Sequence, residues 1–186
     1  WQTEWTYAVQ GRSQNMRLTR GGPSMEQPGG WRSGVSLESS DASQTQGTLS
    51  LDYARGEDGG LVLEAEAGVT MRPGPQWQLS VTPSYEREVA TQQYVTTLGG
   101  GRPSMFGNRY VFGHIDRSTY ATQVRLNYTF KPDLNLDFYG EPFAASGRFD
   151  SFGELAFAGR RLVLPIDRGV VGDRDFNVRS FRSNLV

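Results

Sequence analysis

"TYATQVRLNYTFKPDLNLDFYGEPF", Thr119 to Phe143, carries two alternating patterns on either side of a proline turn. One set of alternate residues is Tyr120, Thr122, Val124, Leu126, Tyr128 and Phe130, continued beyond the turn by Leu134, Leu136 and Phe138. The other set is Ala121, Gln123, Arg125, Asn127 and Thr129, continued by Asn135, Asp137, Tyr139 and Glu141. A period of two puts the first set on one face of a hairpin and the second on the other, with "KPD" at Lys131–Asp133 as the reversal. The alternation describes a soluble sandwich whose apolar face is its core. It equally describes a membrane barrel whose apolar face meets lipid.

The totals narrow the choice. The chain has 186 residues, enough for one domain, and no apolar run approaches the roughly 18 residues of a spanning helix. Its mean hydropathy of -0.52 suits a soluble protein, but a barrel also dilutes its lipid face with lumen residues. Nineteen basic against twenty acidic residues leave no broad attraction for nucleic acid. With no cysteine there is no disulfide, thiolate metal site or thiol nucleophile. The chain opens on Trp1 without a signal peptide or initiator Met, which reads as a processed chain or a piece of a larger one.

Further alternating segments are Trp1–Val9, Trp31–Ser39, Thr45–Tyr53, Leu61–Met71 and Trp77–Tyr85, with weaker ones at Thr91–Thr97 and Arg109–Ile115. "RPGPQ" at Arg72–Gln76 closes a second hairpin, in which Met71 is expected opposite Trp77 and Glu64 opposite Ser84. From Ala144 onward the chain reads as loop with short apolar runs. The fold class is therefore all-β: an antiparallel meander of long strands, part or all of a transmembrane-type barrel, in a single region spanning residues 1–186.

Three features favour the barrel. The strands run about nine to twelve residues, near the roughly 9–11 that cross a bilayer at a tilt. Aromatic residues gather at strand ends, as interfacial girdles do. The polar face carries mid-strand charge, and Asp52, Glu64, Glu66, Glu86, Arg125 and Asp137 are the candidate lumen-lining residues. A soluble β-sheet binding module whose aromatics stack on carbohydrate is the competing class.

Blocks at Arg17–Gly30 ("RLTRGGPSMEQPGG"), Tyr110–Leu155 and Asp175–Val186 ("DFNVRSFRSNLV") resemble the C-terminal barrel of an uncharacterised outer-membrane family. Of these, "TFKPDLNLDFYGEPFAASG" is the most specific. The resemblance covers about half of the chain. It implies a bacterial outer-membrane location, lipid as partner, and a structural or transport role toward carbohydrate or a small solute. It also implies an N-terminal carbohydrate-binding-like domain and one or more final strands outside this fragment.

Candidate chemistry is sparse. His114 stands alone, and Glu64 and Glu66, two apart on a strand, can line a lumen as readily as pair for catalysis. "GGGRPSMFG" lacks the lysine of a phosphate loop, and Asp167, Asp173 and Asp175 lack calcium-loop spacing. No catalytic, metal or cofactor site is expected. The roughly twenty residues before Trp31 suit a folded loop at a barrel mouth, with Arg17, Arg20, Gly21, Gly22 and Pro23 making a sharp reversal. One reading turns this loop inward, pairing Arg17 or Arg20 with the carboxylates of Asp52, Glu64 and Glu66. The other leaves it solvated outside.

Overall fold

The alternating segments all become strands in the computed structural model, which describes residues 1–40 and 42–186. The strands are β1 (Gln2–Gln10), β2 (Ser13–Asn15), β3 (Met25–Gln27), β4 (Gly30–Glu38), β5 (Thr45–Gly56) and β6 (Leu61–Gly74). They continue with β7 (Trp77–Gly99), β8 (Asn108–Lys131), β9 (Leu134–Leu155), β10 (Val163–Pro165) and β11 (Phe176–Leu185). The main sheet runs β1-β4-β5-β6-β7-β8-β9, every neighbour antiparallel, and β9 pairs with β11 along its first half and β10 at its far end. It is an open meander. β2 and β3 form a separate small ladder.

With β1 taken as pointing up, the tight turns at Pro75–Gln76 and Pro132–Asp133 lie on the lower rim. The upper rim carries the long connections 11–29, 100–107 and 156–175.

The opening hairpin has its expected register, with Tyr128 opposite Leu136 and Leu126 opposite Phe138. The "RPGPQ" hairpin does not. Met71 faces Leu79 and Glu64 faces Glu86, because an irregularity between Met71 and Gly74 lets the strand continue into the turn. The displacement is two residues, so the two faces stay unmixed. Thr91–Thr97 is the upper part of β7, and Arg109–Ile115 is the upper part of the same strand as Tyr120–Phe130. The loop reading after Ala144 is corrected: β9 runs to Leu155 and β11 is a full strand. Gly140, Gly147 and Gly153 break up the apolar alternation there, which concealed the strand in the sequence.

Strands of 23, 24 and 22 residues make β7, β8 and β9 well over twice as long as β1 or β4, which have 9 each. Their lower halves continue the wall, and their upper halves form an extension beyond it. The junction is marked by extra residues in β7 between Ala90 and Gln93 and between Tyr94 and Thr96, and by another in β9 between Phe149 and Ser151. Such bulges bend and twist a ladder locally.

Both faces of the extension are covered. On one, Tyr110, Phe112 and Leu155 pack with Met25 and Met105. On the other, Val111, Ile115, Phe149 and Phe152 pack with Val171, flanked by Ile166. Every buried hydrophobic residue among those described lies in this extension or in the segments packed on it.

Candidate functional site

The wall gathers its apolar residues on one face. Cross-strand pairing aligns Trp5, Val35, Leu51, Ala65, Tyr85, Tyr120 and Ala144 in one row. Nearer the lower rim lie Val69, Val81 and Val124, then Met71, Leu79, Leu126 and Phe138, then Trp77, Tyr128 and Leu136. None of these side chains is buried, and Trp5, Leu49 and Phe181 are 70%, 49% and 65% exposed.

Aromatic rings close the band at both ends. Trp77 packs at a tilt against Tyr128 with centroids 4.1 Å apart, and Tyr128 meets Phe130 edge-on at 4.5 Å. Near the upper rim, Trp5, Tyr7, Trp31 and Tyr53 form a continuous run of ring contacts at 5.3–6.3 Å. From Trp77 to Tyr85 the strand covers roughly 27 Å, which a barrel tilt of about 35–45° shortens to about 19–22 Å. An apolar belt of about 25 Å is of that size.

The opposite face is polar and ion-paired. Asp52, Glu64 and Glu86 lie in one cross-strand row, with Glu66 in the next and Glu88 on the other side. Arg32 bonds Asp52 and Glu64 at 3.0 Å each, and Arg117 bonds Glu86 at 2.9 Å and also Glu88. Gly34 sits directly opposite Asp52, and a Cβ there would lie 2.6 Å from the Asp52 carboxylate, so the missing side chain makes room for that acid. Asp52, Glu64, Glu66 and Glu86 line a recess of about 270 Å³ with Ser50, Ser84 and Thr119. Five carboxylates against two guanidiniums leave this stretch negative.

Arg125 and Asp137 share the polar face but lie nearer the lower rim and do not join this cluster. Arg125 lies over the Tyr139 ring at 5.5 Å, and Asp137 is paired in register with Asn127. The partners missed in the sequence are Arg32 and Arg117. Their signal was alternation parity: Arg32 falls two residues from Gly34 on β4, and Arg117 lies directly opposite Glu88. Both follow only once register is known.

The Arg17–Pro23 reversal forms as read. Arg20 has φ 50° and Gly21 φ 100°, and Gly22 lies so close to Tyr110 that a Cβ would meet its ring at 2.3 Å. Thr19 is fully buried and donates its hydroxyl to the Pro23 carbonyl at 2.7 Å. The ion pairs considered for this loop are not formed. Arg20 lies over the Tyr94 ring at 4.8 Å, Arg17 has no ion pair among the described residues, and Arg32 occupies Asp52 and Glu64. The reason is topological: β8 has no extra residue between Tyr110 and Tyr120, so the loop packs on the face that carries Tyr120.

The polar side of the extension is covered instead by Ile166–Arg174. Val171 packs there on Val111 and Ile115, and Arg168 holds the turn together through Asp173 at 2.7 Å, Asp175 at 3.1 Å and the Phe149 carbonyl at 3.2 Å. Neighbouring N–H groups and the Arg168 guanidinium hold the Asp173 carboxyl below its ordinary range. Arg174 and Phe176 bound a recess with Glu88 and Arg117.

Two further polar ties join the upper connections. Glu57 receives a two-pronged bond from Arg12, at 2.6 and 3.0 Å, and the Gly29 N–H at 2.8 Å, which depress its carboxyl pKa. Asp58 bonds Thr91 and Arg161. Burial pushes its carboxyl up, but the Thr91 hydroxyl, the Gly60 N–H and the Arg161 charge outweigh that and hold it below the ordinary aspartate range.

His114 lies 3.0 Å from Asp150 through Nδ1, but the Ser151 hydroxyl bonds Asp150 and not the imidazole, so no nucleophile–base relay is assembled. Comparison with known proteins gives no matching family model, no matching curated protein and no matching solved structure.

Proposed function

We propose that this chain is part of the wall of a bacterial outer-membrane β-barrel, with a structural or transport role and no chemistry of its own. The observation that carries this is where the apolar residues go. In a sandwich the greasy faces of the wall strands would be packed together, whereas here the buried hydrophobics among the described residues lie in the extension or in the segments packed on it, and the band between the aromatic rows is uncovered. A contiguous apolar surface of this extent calls for an occupant, and a band of bilayer dimensions with aromatic margins suits lipid acyl chains.

Short turns on one rim and long, folded connections on the other support the same reading, since outer-membrane barrels keep short periplasmic turns and longer outer loops. So does the resemblance of Tyr110–Leu155 to an outer-membrane family. The polar face then lines an aqueous lumen whose upper part, around Asp52, Glu64, Glu66 and Glu86, favours cationic or polyhydroxylated solutes. The run of rings Trp5–Tyr7–Trp31–Tyr53 gives the second reading its support, because stacked aromatics also bind sugar rings.

A probe on Leu126→Cys or Leu136→Cys in the full-length protein, reconstituted in vesicles, separates the two. Lipid-phase quenchers reach both positions and spare Asn127→Cys if the wall spans the bilayer. Protection of Leu126 and Leu136, with the protein soluble and monomeric in the absence of detergent, overturns the membrane reading.

A further inference from the structure

The charges on the apolar face are distributed unevenly. Within the paired rows of the wall, the charged side chains on this face are Arg55 on β5, Arg87 on β7, Asp116 on β8, Arg148 on β9 and Arg179 on β11. All five lie in the three rows nearest the upper rim, at or just beyond Tyr85 and Tyr120. The lower end of the band closes on Trp77, Tyr128 and Leu136, with Lys131 and Asp133 at the turn beyond, which cancel in charge. Four arginines against one aspartate make the upper margin cationic.

Arg87 alone of the four has a carboxylate partner, Asp116, at 2.7 and 3.1 Å. Arg148 is directly opposite Asp116 in register, yet that acid is already taken. Arg55, Arg148 and Arg179 are exposed and have no side-chain partner among the described residues. Arg87, Asp116 and Arg148 line a recess of about 430 Å³ with Tyr85, Ser118 and Ser146. Two guanidiniums, that of Arg87 already bonded to the Asp116 carboxylate and that of Arg148 unpaired among the described residues, and three hydroxyls therefore line the recess at the edge of the apolar band. Tyr85 and Ser118 already hydrogen-bond each other at 3.4 Å, which fixes the hydroxyls in place.

We infer that this upper margin binds the phosphate groups of anionic membrane lipids, with the Arg87–Arg148 recess seating one phosphate and Arg55 and Arg179 extending the rim to either side. The inference rests on the membrane-wall reading above. Guanidinium matches phosphate through paired N–H donors, and hydroxyls supply the remaining bonds. The apolar band immediately below takes the acyl chains of the same molecule, which a free phosphate ion could not use. The sidedness also follows, since a cation near a membrane surface contributes attraction only toward the leaflet it reaches.

The test uses the full-length protein in vesicles of phosphatidylcholine with and without 20% of a phosphate-rich anionic lipid such as lipid A. Native mass spectrometry of the extracted protein counts retained lipid. The expected result is retention of lipid A over phosphatidylcholine, reduced about five-fold by Arg148→Gln and further by Arg55→Gln with Arg148→Gln, and unchanged by Lys131→Gln. Millimolar inorganic phosphate should not displace the lipid; displacement would identify a free-phosphate site instead and overturn the proposal. Equal retention of both lipids, or no effect of the arginine variants, also overturns it. Insertion with quenching at Leu126 but without lipid A preference refutes the rim alone, whereas failure to insert in either vesicle refutes the membrane reading beneath it.

Discussion

The lower and upper halves of β8 belong to one continuous strand and meet opposite fates. Between Tyr120 and Tyr128 the even-numbered residues form an uncovered apolar band, while the odd-numbered ones, Gln123, Arg125 and Asn127, are polar. Between Tyr110 and Ile115 both sets are apolar and buried apart from the half-buried His114, with Phe112 and Val111 at 1% and 0% exposure. The change occurs at the bulges near Ala90 and Phe149, where the strands leave the wall and loops from either side of the chain close over them. A strand apolar on one face requires one apolar neighbour, and a strand apolar on both faces requires two. Among the described residues, no protein layer covers the apolar face of the wall. The extension has a layer on each side.

Substitutions can break this contrast, beginning with the largest effect. Phe112→Ala should destabilise the extension by about 3–5 kcal/mol, because it empties a packed site between Met25 and Leu155. Limited proteolysis should then cut within Arg17–Pro23 while the wall keeps its strand signal; cleavage in both regions at once would show that the two halves unfold together. Leu126→Arg should cost about 2–4 kcal/mol in a bilayer, against little for Asn127→Arg, since only the first exposes charge to acyl chains. Equal penalties for the two, measured by denaturant titration in vesicles, would contradict the division of faces.

The tie between the halves is weaker. Asp58→Asn should loosen the Arg161 segment by about 1–2 kcal/mol, a value kept low by residual solvent access. Amide exchange across 156–165 should rise and that across β6 should not. Because the Asp58 carboxyl is held below its ordinary range in the folded chain, its contribution is complete at neutral pH. It fades as the pH falls below about 4 toward the depressed value, so wild-type exchange at 156–165 should approach that of Asp58→Asn in acid. The smallest effect belongs to Arg17→Ala, within about 0.5 kcal/mol in the same denaturation assay, since that exposed side chain holds no ion pair among the described residues. A larger loss would show that the loop depends on charge as well as on the buried Thr19 and the Gly22–Tyr110 contact.

What the sequence by itself determined was everything that follows from a period of two. It gave the strands of the wall from β1 to the first part of β9, the separation of faces, the turns at "KPD" and "RPGPQ", and the RGG reversal, because each depends on residues close along the chain, whereas β11 was not legible. The polar face was legible as a set, Asp52, Glu64, Glu66, Arg125 and Asp137, but not as a cluster. Which of them meet depends on register, and a two-residue shift after Met71 placed Glu64 opposite Glu86 instead of Ser84. Only the tertiary structure decided that Arg32, not Arg17 or Arg20, pairs with Asp52 and Glu64, and that Arg117 pairs with Glu86 and Glu88. It alone decided too that Ile166–Arg174 covers the polar side of the extension while the Arg17–Pro23 loop lies on the other. Those outcomes depend on bulges and on contacts between segments well separated along the chain, where a single extra residue in one strand reverses the face that a side chain presents.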